Sequence, residues 1–243
     1  MPSFDAAGLS EALERDVVFF ERCESTQVEA RRLADKGAPA GTLVVANSQS
    51  GGKGRLGRTW QAAAGKNLLF SLVLRPPIAP ERAPLLCLAT AVALADVLDC
   101  RIKWPNDLLD KQGRKHCGIL AEMDAGGGFL RHAVIGVGIN VNQVDFPAEL
   151  PNPGSMALVR GPQNRANVLR DTVFQIERWC AQLSGGNDVV LQAWRARAAH
   201  LGQRVRVGEI DGIARDLRDD GALLIETERG VVPVLAGDVQ LIV

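Results

Sequence analysis

Residues 51–60 read Gly-Gly-Lys-Gly-Arg-Leu-Gly-Arg-Thr-Trp, four glycines and three cations in ten positions with no acid among them. Glycine lets a backbone bend and lie close to a ligand. Free backbone N–H groups beside Lys and Arg then make a receptor for an anion. The surroundings sharpen this reading. From Lys36 to Pro80 there is no Asp or Glu, although the whole chain balances 28 basic against 28 acidic residues. A locally positive loop in a neutral protein points to a small anion. Nucleic acids and membrane surfaces call for a broader excess of positive charge.

Two phosphate-binding motifs match the loop on paper and fail in context. Gly52-Lys53-Gly54-Arg55-Leu56-Gly57 fits the dinucleotide pattern G-x-G-x-x-G, which requires a following helix and an acid about 20 residues on. Residues 60–66 leave room for only a turn or two, and 74–78 read Leu-Arg-Pro-Pro-Ile. A P-loop fails in the same way: Arg58 stands where its lysine belongs, and the helix that would supply the dipole is missing. What remains is a mobile cationic loop that closes over a small anion and excludes water. Trp60 is either a hydrophobic anchor for the closed loop or simple core packing.

Three further clusters carry polar groups. In Lys103-Trp104-Pro105-Asn106-Asp107 the residue types suit a turn; alternatively Asp107 orients a lysine or helps hold Mg²⁺ near phosphates. Lys115, ahead of His116-Cys117-Gly118-Ile119-Leu120, is either a solvated edge charge or an ammonium placed to offset charge during group transfer. His116 and Cys117 are expected to be structural, because no nucleophile–base–orienter set assembles around them. In Gly136-Val137-Gly138-Ile139-Asn140, Gly138 permits a close approach by ligand or backbone. Asn140 either binds a ligand through its amide or closes a turn.

The elements that must hold these residues follow from periodicity and punctuation. Helices are expected at 5–15, from Ser25-Thr26 to Gly37 with a Thr26/Glu29 capping box, and at 81–98, 163–183 and 187–200. Strands are expected at 17–20, 42–49, 68–74 and 101–104, with a hairpin of 115–123 and 130–141 around Ala125-Gly126-Gly127-Gly128. The run 68–74 is apolar enough to be covered on both faces. Residues 143–162, with four prolines, read as an irregular connection. Beyond 203 the pattern becomes five short strands (204–207, 212–217, 222–226, 231–235, 239–243), which suggests a small barrel and a boundary near residue 200. The expectation is an α+β fold, a mixed sheet flanked by helices.

Five scattered cysteines and three histidines argue against a disulfide framework or a zinc site. The N-terminus lacks the cationic and apolar regions of a signal peptide. The longest apolar run, 85–98, is broken by Asp96 and too short for a bilayer. The expectation is a cytoplasmic protein that binds no membrane.

Taken in order, these segments resemble the biotin protein ligases. Ser25-Thr26-Gln27 is similar to the family's Ser-Thr-Asn segment, and Gln49 through Trp60 to its G-R-G-R-x-G-R-x-W loop. Lys103 to Asp107 matches its K-W-P-N-D. Lys115 to Leu120 resembles its K-x-x-G-I-L, and Gly136 to Asn140 its G-x-G-I-N. The resemblance covers nearly the whole chain. It implies a class II synthetase-like catalytic domain over 1–200 and an SH3-like barrel over 201–243. Two departures stand out: Lys53 replaces an arginine and loses its fork geometry, and Gln27 is one methylene longer than asparagine. Too few residues precede Ser25 for the winged-helix DNA-binding domain of some members, so the monofunctional form is expected.

The implied chemistry has two steps. ATP activates biotin as biotinyl-5′-AMP, and a lysine of a biotin carboxyl carrier protein domain, of acetyl-CoA carboxylase or a related carboxylase, takes the biotinyl group. By the resemblance Lys115, Arg55 and Asp107 are catalytic. Biotin falls to Ser25, Thr26, Gln27, Gln49, Lys53, Gly54, Arg55, Trp60, Lys115 and Gly118, with neutral hydroxyls and amides suited to a urea. The nucleotide falls to Arg55, Arg58, Trp60, Asn106, Lys115 and Asn140. Mg²⁺ is expected to arrive on the phosphates, with no protein metal site. No nucleic-acid partner is expected, and the chain is expected to be a monomer or weak homodimer. The competing readings are a lipoate or octanoate ligase, a biotin-sensing module without catalysis, and a nucleic-acid binder.

Overall fold

The computed structural model describes residues 4–242. Residues 1–3, read above for a leader, and Val243, the expected end of the last strand, lie outside the described residues. Seven strands make one mixed sheet: β1 (Val17–Cys23), β2 (Leu43–Gln49), β3 (Leu68–Leu74), β4 (Arg101–Lys103), β5 (Asp107–Leu109), β6 (Lys115–Gly126) and β7 (Phe129–Ile139). Their order across the sheet is β1-β2-β3-β7-β6-β5-β4. Only β1 and β2 run parallel. A parallel pair needs a crossover, and α2 (Thr26–Asp35) supplies it.

Helices cover both faces. On one, Ala30 and Ala34 of α2 pack on Val44, Val73 and Val134. The other carries the main core, built around α3 (Leu85–Leu98), which α5 (Arg165–Gln182) and α6 (Asp188–Arg197) cover in turn. Strand β3 lies between the two layers, so all seven of its residues are buried. This is why 68–74 reads as an unbroken apolar run instead of an alternating one. Near the N-terminus α1 (Ala6–Leu13) is capped by Asp5, whose carboxylate accepts the Gly8 N–H at 2.9 Å.

The hairpin forms as expected and is longer than its apolar core. Its two-residue turn, Gly127-Gly128, has φ of +64° and +84°, the left-handed geometry that a type I′ turn requires at both positions. One expectation holds and one fails. Residues 104–106 make the expected turn, and Asp107 opens β5 just beyond it, because Leu108 is apolar and pairs with both Ile102 and Cys117. The connection 143–162 contains a short helix, α4 (Met156–Arg160), whose N-cap Ser155 accepts the Leu158 N–H.

The C-terminal strands β8 (Arg204–Val207), β9 (Ile210–Leu217), β10 (Leu223–Thr227), β11 (Gly230–Val234) and β12 (Gln240–Leu241) form a separate antiparallel sheet, in order β11-β10-β9-β8-β12. This sheet is fastened to the larger unit. The Trp104 indole donates to Gly221 O at 3.1 Å, Asn187 donates to Asp219 O at 2.9 Å, and Arg195 pairs with Asp216.

Candidate active site

A cavity of about 190 Å³ opens between α2, the 51–60 loop, and strands β3, β6 and β7. One end is neutral and polar. Ser25, Thr26, Gln27 and Ser71 are all buried there. The Thr26 N–H, at the first turn of α2, donates to Gln49 Oε1 at 2.6 Å. The side chain that caps α2 therefore comes from β2, and the expected Thr26/Glu29 capping box does not form. Glu29 instead pairs with Arg32. Ser25 is the N-cap residue by backbone geometry but makes no side-chain cap bond. Its hydroxyl is left for the cavity it lines.

Gln27 is held by the protein itself. Its amide donates to Val134 O at 3.0 Å and accepts from Ser71 Oγ at 3.0 Å. Ser71 has a single hydroxyl proton, so Thr26 Oγ1, 3.0 Å away, donates to Ser71. The longer glutamine reaches across to β7, where a Cβ at Gly136 would collide with its Oε1. Gln27 lines the cavity wall and orients Thr26 through Ser71.

The other end is cationic. Lys115 Nζ pairs with Asp107 Oδ1 at 2.7 Å and lies 5.6 Å from the Trp60 ring centroid. Lys115 lies next to an irregularity in the β5–β6 register, where Leu108 pairs with Cys117 and Leu109 with Lys115, and bulges of this kind re-aim side chains. Its backbone is clamped by Asn152 and Gly154, through Lys115 N to Asn152 O and Gly154 N to Lys115 O, each 2.9 Å. Asn140 fastens the clamp by donating to Gly154 O at 2.9 Å, while its Oδ1 is buried with no hydrogen-bond partner. Asn140 thus ties a loop, and its unsatisfied acceptor belongs to a residue that lines the cavity. Asp107 is not among the lining residues and acts here through Lys115.

The 51–60 loop folds back on itself, with Gly54 N–H to Arg58 O at 2.7 Å and Trp60 N–H to Gly52 O at 2.9 Å. Its tip, Arg55–Gly57, is a single 3₁₀ turn, and no helix follows before β3. Arg55 is only one-fifth exposed; it donates to Asn106 Oδ1 at 3.1 Å and Gly237 O at 3.3 Å. Asn106 also donates to Ile119 O at 2.8 Å, so this amide orients Arg55. Lys53 and Arg58 are exposed at the rim, and Gly54 lies between them on the cavity lining.

Trp60 packs on a floor made by Gly118 and Gly138, which are cross-strand partners in β6 and β7. A Cβ at Gly138 would lie 2.7 Å from Trp60 Nε1, and one at Gly118 3.0 Å from Cζ3. The close approach anticipated at Gly138 is thus made by this chain's own indole. Trp60 Nε1 is buried with no hydrogen-bond partner.

Every anticipated site residue except Asp107 borders this one cavity: Ser25, Thr26, Gln27, Gln49, Lys53, Gly54, Arg55, Arg58, Trp60, Asn106, Lys115, Gly118 and Asn140. Sequence reasoning missed Ser71, Leu150, Pro151 and Pro153. Ser71 had a readable signal, as the only polar residue in the apolar run 68–74. Burial favours the neutral forms of two neighbouring groups. Burial pushes the Cys117 thiol well above its usual range. Burial also lowers the His116 pKa against the opposing pull of Asp110, 3.1 Å away.

A cavity with neutral donors and acceptors at one end and fixed cations at the other, beside a glycine-rich cationic loop, defines an enzyme site for a ligand with a neutral polar head and an anionic tail. Residues 19–140 match the biotin/lipoate A/B protein ligase family, and 200–242 match the biotin protein ligase C-terminal domain. The bifunctional ligase/repressor BirA of Bacillus subtilis is 35% identical, with 96% of this chain and 76% of that protein covered. The biotin–[acetyl-CoA-carboxylase] ligase of Paracoccus denitrificans is 34% identical over 90% of this chain and 97% of its own. The Aquifex aeolicus biotin protein ligase, solved with biotin and ATP, superposes with a TM-score of 0.75 at 28% identity, covering 93% of this chain and 97% of that one. The chain belongs to the biotin/lipoate A/B protein ligase family.

Proposed function

We infer that this enzyme activates biotin with ATP as biotinyl-5′-AMP and transfers the biotinyl group to a lysine of a biotin carboxyl carrier protein domain. The observation that carries the reading is one cavity with Ser25, Thr26 and Gln49 at one end and Lys115 and Arg55 at the other. A urea needs donors and acceptors together. A carboxylate meeting a triphosphate needs cations that are already in place.

In the first step a biotin carboxylate oxygen attacks the α-phosphorus. The new P–O bond forms as the α–β bond breaks, and pyrophosphate leaves. Lys115 and Arg55 offset the charge shared by carboxylate and phosphate, Asp107 holds the Lys115 ammonium, and Arg58 and Lys53 add charge at the rim. Trp60 and the Asn140 carbonyl serve the nucleotide base. In the second step the acceptor amine attacks the carbonyl carbon, AMP leaves, an amide forms, and the amine's proton passes to solvent. The closed loop shields the anhydride from water. Among the described residues no three His, Cys, Asp or Glu side chains gather as metal ligands. Magnesium would arrive on the ATP phosphates and would supply charge neutralisation there.

We place the biotin- and ATP-binding unit at 1–200 and the C-terminal unit, with the SH3-like character its strand pattern suggests, at 201–243. No described helix is long and apolar enough to cross a membrane. The test is pyrophosphate release from ATP with biotin or with lipoate. Biotin-dependent release is expected. Release with lipoate alone would overturn the substrate assignment, and no release with either would overturn the enzyme reading.

A further inference from the structure

The loop region is free of acids from Lys36 to Pro80, yet its arginines have a carboxylate partner. Asp238 Oδ2 lies 2.7 Å from Arg58 Nη2, and Oδ1 lies 3.7 Å from Arg55 Nη1. Asp238 belongs to the C-terminal sheet, in the segment joining β11 to β12, about 180 residues away along the chain. The residues on both sides of it are packed against the sheet. Gly237 has φ +140°, and a Cβ there would collide with Val207 Cγ1, so the backbone is seated against β8. Val239 is fully buried.

The contacts on Arg55 are one-sided. Asn106 Oδ1, Gly237 O and Asp238 Oδ1 all converge on Nη1. Among the described residues no hydrogen bond reaches its Nε or Nη2. A guanidinium presents its donors in a fixed fork, so fastening one nitrogen leaves the others to meet an oxyanion.

We propose that Asp238 is a positioning residue for adenylate formation and retention: from the C-terminal sheet it bridges Arg55 and Arg58, holding the loop closed with the free edge of Arg55 turned to the ligand's phosphate. The proposal rests on the ligase reading of the cavity. It makes the C-terminal sheet a working wall of the site, because the acid that orders the loop is not encoded near the loop. Biotin alone brings a single carboxylate to the cationic end, so its binding depends on Asp238 far less than that of the adenylate.

The experiment compares wild type, Asp238→Asn, Asp238→Glu, Arg58→Gln and the Asp238→Asn/Arg58→Gln double variant. Biotin affinity without ATP, the release rate of preformed biotinyl-5′-AMP and thermal midpoints are measured for each. Expected for Asp238→Asn is a biotin affinity altered by less than about twofold with adenylate release faster by about fivefold, the scale of a partly exposed ion pair. The double variant should add less than the product of its parts, and Asp238→Glu should recover much of the retention. Unchanged or slower release overturns the proposal, as does strict additivity with Arg58→Gln. If Asp238→Asn loses thermal stability, Asp238→Glu against Arg58→Gln decides: equal release rates from those two overturn it. A wild type that makes no adenylate would instead sink the ligase reading.

Discussion

Lys115 is where charge, geometry and chemistry meet. Its ammonium is paired with Asp107 at 2.7 Å, packed near the Trp60 ring, and carried on a strand whose start is clamped by Asn140 and Gly154. An ammonium held this firmly needs little reorganisation when charge develops on a phosphate. Lys115→Ala should therefore lower biotin-dependent pyrophosphate release by at least about a hundredfold, with a near-native thermal midpoint because the side chain is not part of the apolar core. Near-normal release would remove Lys115 from the mechanism. The lysine itself was readable from its motif. Asp107 as its partner was one of two open readings, and the pairing depends on the β5–β6 register, which residue types alone do not specify.

Among the elements, the β6–β7 hairpin does most to shape the site. Its length, turn and apolar alternation are all local properties and are plain in the sequence. Its glycine floor is not. Gly118 and Gly138 face each other only because of the strand register, and Trp60 reaches them from a loop more than 50 residues away. Gly138→Ala places a methyl 2.7 Å from the indole nitrogen and must displace Trp60. Overpacking of this kind costs roughly 1–3 kcal/mol. The expected outcome is a weaker apparent affinity for ATP, with biotin binding less affected. Titrating each ligand separately checks this, and unaltered ATP affinity would show that the seat is not needed. The failed capping box is a lesson of the same kind. Thr26 and Glu29 have the right spacing, but Gln49 from β2 reaches the helix end first, and the Thr26 hydroxyl is drawn to Ser71.

At the scale of the molecule, the junction between the two sheets carries a buried histidine. His200 is fully buried, with both ring nitrogens unpartnered, and packs edge-on against Trp194 of α6. Burial, helped by Lys103 on β4, lowers its pKa to about 4. The neutral form is favoured in the fold, so the unfolded chain binds the extra proton between its own value near 6.5 and about 4. Stability from this residue is full above pH 6.5 and declines as pH falls through that window, by roughly 3 kcal/mol in all. His116, also held down by burial, acts in the same direction. Carboxylates with lowered values, such as Asp110, lose their contribution only at more acidic pH. Urea unfolding from pH 7 to 4.5 should show His200→Phe flattening the slope by about one proton relative to wild type. An unchanged slope would count against the assignment.

The sequence by itself determined the cationic loop, the order of the five motifs, the two β-rich regions and most helices. Each is written in short-range spacing: glycine and charge density, period-two or period-3.6 apolarity, and turn residues. Tertiary structure alone decided that Gln49 caps α2, that Gln27 is tied to Ser71 and Val134, that Trp60 rests on two glycines, and that Asp238 meets Arg55 and Arg58. These contacts join residues from about 20 to more than 180 positions apart. No local periodicity encodes them, because they exist only once sheet register and domain packing have brought the backbones together. The cation-rich loop is thus legible as a string of residues, but the carboxylate and the glycine floor that give it shape are supplied by the fold.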